Sequence, residues 1–176
     1  MAPKTLAACA ALTLFVPLSA EAQQPQPAAP PAAAPAAAAP LPYGMPITLE
    51  AAKKAIAAAE GEATKNNWSV AMVVVDSGGH MVMMQRLDGT QIASIRIAEG
   101  KARTALEFRR PSKALEDGIT AGGAGLRILG VDGVTPLEGG VPIQSGGRII
   151  GAIGVSGVLS SQDAQTARAG AEAAVR

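Results

Sequence analysis

The chain contains one histidine, and its setting gives it the first claim on chemistry. His80 follows Asp76-Ser77-Gly78-Gly79, between the apolar runs Val73-Val74-Val75 and Met81-Val82-Met83-Met84. A neutral imidazole at a turn can ligate haem iron. The same residue can equally face solvent and do nothing. With no second histidine, a bis-histidine haem site within one chain and a zinc site of ordinary ligand count are both excluded. Met72, Met81, Met83 and Met84 cluster around this histidine. Thioethers ligate haem iron or Cu(I), but they also serve as adaptable core filler. Strand alternation puts His80, Val82 and Met84 on one face and Met81 and Met83 on the other, leaving Met84 as the thioether on the His80 side.

Two further groups carry charge where a ligand could use it. In Pro136-Leu137-Glu138-Gly139-Gly140 a single carboxylate precedes two residues without side chains. Glu138 is an acid–base candidate, and Gly139 and Gly140 would let a ligand approach the backbone; a tight turn with a solvated Glu138 is the alternative. Lys101, Arg103, Arg109 and Arg110 form a cationic run that would suit an anionic ligand, or simply a solvated helix face.

The elements that must position these residues are readable from periodicity. The pattern of an apolar run, a polar residue, Ser-Gly-Gly and a second apolar run occurs twice, at 73–83 and at 141–151, with His80 matching Arg148. Gly-Gly supplies the positive φ angles of a tight turn, so each copy reads as a β-hairpin. Thr48 caps a helix whose apolar positions are Leu49, Ala52, Ile56, Ala59 and Ala63. A second helix is predicted from about Gln91 to Arg109, with a buried stripe of Ile92, Ile95, Ala98, Ala102, Ala105 and Leu106. Pro111 stops it. Ser112 to Asp117 adds a helical turn, and a glycine-rich loop with a short helix near Ala124 to Leu129 leads to the second hairpin. The last helix opens at Ser160 with Asp163 as its capping-box partner. Its inner face, Ala164, Ala167, Ala171 and Ala174, is so thin that it must lie close against its neighbour. The order α-β-β-α-β-β-α is that of an α+β layered domain, with an antiparallel sheet made of two hairpins flanked by helices. The glycines of Gly151-Ala152-Ile153-Gly154-Val155-Ser156-Gly157 lie within a strand and lack dinucleotide spacing; they read as room for a helix, ligand or subunit.

Composition narrows the class. Residues 1–22 have the charged start, short apolar stretch and Ala20-Glu21-Ala22 site of a cleaved signal peptide, so the mature chain is expected in the periplasm or outside the cell. Cys9, the only cysteine, would leave with that segment, which excludes disulfides and thiolate metal sites. Residues 23–45 are nearly all Ala, Pro and Gln and read as a disordered tether; 46–176 form the folded domain. A formal net charge of +1 and few aromatics argue against nucleic acid as a partner.

Four segments in this order carry a resemblance: Val73-Val74-Val75-Asp76-Ser77-Gly78-Gly79-His80, Lys101-Ala102-Arg103-Thr104-Ala105, Pro136-Leu137-Glu138-Gly139-Gly140-Val141-Pro142-Ile143 and Gly151-Ala152-Ile153-Gly154-Val155-Ser156-Gly157. Together they resemble the GlcG/HbpS-like haem-binding family, also similar to the C-terminal domain of PduO proteins. The resemblance implies a profilin-like fold, self-assembly into homo-oligomers, and binding of haem or a related tetrapyrrole for storage, scavenging or sensing. On it, His80 is the candidate iron ligand. Met84, Lys101, Arg103, Glu138, Gly139 and Gly140 are the other candidate haem contacts, with the cations toward the propionates. The resemblance implies binding more than catalysis. A small-metabolite enzyme using Glu138 or His80 in a glycine-lined pocket, and a structural or partner-binding module, are the alternatives.

Overall fold

Thr48 opens the first helix, its hydroxyl accepting the Ala51 N–H at 3.2 Å, in a computed structural model that describes residues 39–176. The export segment and most of the Ala/Pro stretch expected from the sequence lie outside the described residues. Helix α1 (Leu49–Lys65) buries Ala52, Ala55, Ile56, Ala59 and Ala63 and ends at Asn66. Strand β1 (Ala71–Asp76) and strand β2 (Met81–Arg86) form the first hairpin, and helix α2 (Ser94–Glu107) follows. Helix α3 (Lys113–Thr120) and a 3-10 helix (Gly123–Gly130) precede the second hairpin, β3 (Gly140–Ser145) and β4 (Arg148–Ser156). Helix α4 (Ser160–Ala173) closes the domain. Among the described residues no helix is long and apolar enough to cross a membrane.

The four strands form one antiparallel sheet in the order β2-β1-β4-β3. This is the α+β arrangement expected from the sequence. Strand β1 is apolar and buried from Ala71 to Val75 because both its faces are covered there. Val70, Met72 and Val74 join the core beneath α1 and α4, whereas Ala71, Val73 and Val75 join the core beneath α2. Glycines set how closely helices pack on the sheet and on each other. A Cβ on Gly154 would stand 2.0 Å from the Ala98 carbonyl oxygen, so α2 rests on bare β4 backbone. A Cβ on Gly170 would stand 2.8 Å from the Ala55 carbonyl oxygen, which is the close α4 packing that an all-alanine face demands.

Several expectations are corrected. The second helix begins at Ser94, with Ala93 as its N-cap, so Ile92 lies outside the buried stripe and is 89% exposed. Asp163 is not the capping-box partner of α4; the Gln162 Oε1 accepts the Leu159 N–H, and Asp163 turns into the interior. The two hairpins are not equivalent. In the second, Ser145 pairs directly with Arg148 across Gly146 and Gly147, both at positive φ. In the first, the Asp76 N–H donates to the His80 carbonyl across three residues, and only Gly79 has positive φ.

The methionine alternation is also overturned. Val74 pairs with Met83 but Val75 pairs with Met81, which leaves Val82 as an extra residue in a bulge. Cross-strand partners share a face. Met81 and Met84 therefore stand on the α2 side, and Met83 stands on the other.

Residues assigned to the tether also enter the fold. The Gly44 N–H donates to the Ile149 carbonyl, and the Ile149 N–H to the Pro42 carbonyl, extending the sheet where β1 has ended.

Candidate functional site

The first turn is built around one carboxylate. Asp76 Oδ1 accepts the Gly78 N–H at 2.8 Å and the His80 N–H at 3.0 Å. The His80 Nδ1 lies 3.4 Å from the same oxygen. Burial acts to raise the Asp76 pKa, but the two N–H groups and the imidazole outweigh it and hold the carboxyl below its ordinary 3.8. The imidazole itself is 83% exposed. Its Nδ1 edge is turned to Asp76, which leaves Nε2 toward solvent.

The face is fixed by the neighbours. Asp76 pairs with Gly151, whose missing Cβ would lie 3.1 Å from Ile47, so Asp76 and His80 belong to the α1/α4 side of the sheet. Met84, expected beside His80, pairs with Val73 and stands on the opposite side. The bulge at Val82 is the reason.

Arg103 reaches the same turn from the α2 side. Its Nη1 would lie 3.6 Å from a Cβ on Gly79, while Nε and Nη2 donate to Glu99 Oε1 at 3.1 and 3.0 Å. Arg103 also lines a cavity of about 480 Å³ between α2 and residues 133–135, together with Arg96, Glu99 and Thr135. Tyr43, which the sequence did not single out, ties this end together. Its hydroxyl donates to the Leu106 carbonyl at 3.0 Å, Arg109 sits 5.7 Å above its ring, and Arg148 donates to its carbonyl at 3.3 Å. Of these guanidiniums Arg103 is the one at the His80 turn, whereas Arg109 and Arg148 gather around Tyr43.

Lys101 is elsewhere. It does not lie on a solvated helix face; it is 1% exposed, and its ammonium donates to Asp163 Oδ2 at 2.8 Å and to the Val155 carbonyl at 3.0 Å. Burial drives the Asp163 pKa up, and the Lys101 ammonium and the Val158 and Gly157 N–H groups only partly counter it. A signal for this pair was present in the sequence. Lys101 falls between Ala98 and Ala105 on the buried stripe of α2, and Asp163 adjoins the alanine face of α4.

Glu138, Gly139 and Gly140 lie by the β3 edge, at the far side of the sheet from the first hairpin. A Cβ on Gly139 would meet the Val155 carbonyl oxygen at 2.7 Å and Lys101 Nζ at 2.8 Å; one on Gly140 would meet the Lys101 carbonyl oxygen at 2.1 Å. These glycines make room for the protein's own Lys101. Glu138 instead faces a recess of about 100 Å³ with Lys113 and Arg168 on its walls. The structure therefore brings His80 and Arg103 to one turn from opposite faces and keeps Glu138 apart from both.

Comparison with known proteins adds to this geometry. Residues 47–172 match the family described as haem degrading protein HbpS-like. Protein GlcG of Escherichia coli K12 is 42% identical over 110 residues, which are 62% of this chain and 81% of that one. The crystal structure of a Streptomyces reticuli HbpS double mutant is similar with a TM-score of 0.68 at 36% identity, covering 81% of this chain and 97% of the other. The crystal structure of a PduOC–haem complex is similar with a TM-score of 0.67 at 25% identity, covering 73% of this chain and 95% of the other.

Proposed function

The chain belongs to the HbpS-like family of haem-degrading proteins, and from that premise we propose that it is an exported haem-binding protein with His80 as the iron ligand. The observation that carries the ligand assignment is the Asp76–His80 pair. A histidine that ligates metal through one ring nitrogen commonly presents the other to a carboxylate, which fixes the ring and raises its basicity. Asp76 stands in that position at 3.4 Å from Nδ1. Bound haem would supply a redox-active iron. The protein's part would be to hold it: His80 would take the iron through Nε2, and Arg103, which reaches the same turn, would be available to a propionate. Lys101, committed to Asp163, has no share in this.

The role is binding, for storage, scavenging or sensing in the periplasm or outside the cell, after removal of residues 1–22. Assembly into a homo-oligomer belongs to the same reading. Its support is the excursion between α2 and β3, where no residue of α3 or the 3-10 helix is fully buried among the described residues and Leu126, Leu129 and Val131 are exposed.

Titration of the purified protein with hemin tests the proposal. A saturable Soret shift near one equivalent is expected, and its absence would overturn the haem reading. His80→Ala is expected to change the spectrum of the ferric complex; an unchanged spectrum would remove His80 as ligand while leaving haem binding intact. Light scattering that returned a monomer would overturn the oligomer.

A further inference from the structure

The recess at the β3 edge contains a charged pair that the fold leaves incomplete. The Glu138 side chain is only 16% exposed, yet its carboxylate accepts no hydrogen bond from the described residues. Arg168 approaches it from α4 and stops with Nη1 4.0 Å from Oε1, beyond hydrogen-bond range. Arg168 likewise donates to no other described residue. Lys113, on the opposite wall, is ion-paired with Asp117, and the Glu138 backbone N–H is fixed by Glu116 Oε2 at 2.6 Å. The loop that presents Glu138 is anchored, because Ser112 Oγ accepts the Gly140 N–H and donates to the Leu137 carbonyl. Pro111, Val141 and Ala164 supply an apolar floor.

A partly buried carboxylate and a guanidinium facing the same small space, both short of partners, call for a ligand that offers one a donor and the other an acid. The recess holds about 100 Å³, so the part of the ligand seated between the two charges must be small. We propose that this recess binds a small organic acid carrying a hydrogen-bond donor beside its carboxylate, a 2-hydroxy or 2-amino acid. Glu138 accepts the hydroxyl or ammonium hydrogen, and Arg168, with Lys113 nearby, takes the carboxylate. Val141 and Arg168 also line a shallower trough of about 260 Å³ with Gln144 and Glu172, toward which a longer chain can extend. This site stands independently of haem, since none of its residues belongs to the His80 turn.

Three acids with the same carbon skeleton test it: lactate, alanine and propionate, titrated into the full chain and followed by amide NMR shifts of Gly139 and Gly140. Lactate or alanine is expected to bind saturably, with propionate weaker by about tenfold or more, because a site built to accept a donor penalises its absence. Glu138→Leu is expected to abolish that preference. Arg168→Met, at a residue 55% exposed, is expected to weaken all three. Equal binding of the three acids, or no saturable binding of any, would overturn the proposal. So would a preference that survives Glu138→Leu. Loss of hemin binding with the acid preference retained would sink only the haem reading.

Discussion

Lys101 and Asp163 form an ion pair 2.8 Å long across the interior, with both side chains 2% exposed. The pair links α2 to α4 around the end of β4, and the Val155 carbonyl takes a further hydrogen of the same ammonium. Replacing Lys101 by Met leaves the Asp163 carboxylate buried without its cation. The expected cost is about 3–5 kcal/mol, whereas the double variant Lys101→Met, Asp163→Leu should recover most of it. Chemical denaturation of the three proteins measures the difference. A single variant as stable as the parent would mean that the pair contributes nothing.

Asp76 ties stability to acid. Its pKa is depressed in the fold by the His80 and Gly78 N–H groups, which overcome the opposing effect of burial. Its contribution is therefore fully present above the unfolded carboxylate value of 3.8 and disappears as pH falls through the lower folded value. Asp76→Ala should cost about 2 kcal/mol at neutral pH, for two hydrogen bonds to a charged acceptor. Urea midpoints of parent and variant should converge at strongly acidic pH. A gap that stays constant down to acid would contradict this assignment.

Two glycines should respond in opposite directions to the same substitution. Gly61 lies within α1, and a methyl added there would meet nothing within 4 Å. Gly61→Ala should stabilise by roughly 0.5–1 kcal/mol through helix propensity. Gly154→Ala would drive a methyl into the Ala98 carbonyl and the Ala102 N–H at 2.0 and 2.6 Å, with an expected loss of about 3 kcal/mol or more. Thermal melts separate the two cases. Equal effects would mean that α2 can lift from the sheet freely.

The elements were legible because their signals are local. Two Ser-Gly-Gly turns, the Thr48 cap, the Pro111 stop and the alanine stripes each act within a few residues, and the sheet follows from the hairpins they define. The candidate site was legible only in part. His80 was marked by being alone, but its face depended on the bulge at Val82, and a one-residue slip in register carries no local signature in an apolar run. Lys101 was read by its charge rather than by its place on a buried stripe, and its partner lies 62 positions away. Gly139 and Gly140 suggested room for a ligand. They make room for Lys101, a contact no spacing within their own loop could announce.

The bulge at Val82 has an effect beyond the methionines. β2 is one edge of the sheet, and a bulge interrupts the row of N–H and C=O groups that another strand would need to template upon. The other edge, β3, carries Pro142, which has no N–H to offer. Both borders are thus poor starting points for strand-by-strand growth, so the sheet is closed to continuation from one molecule into the next.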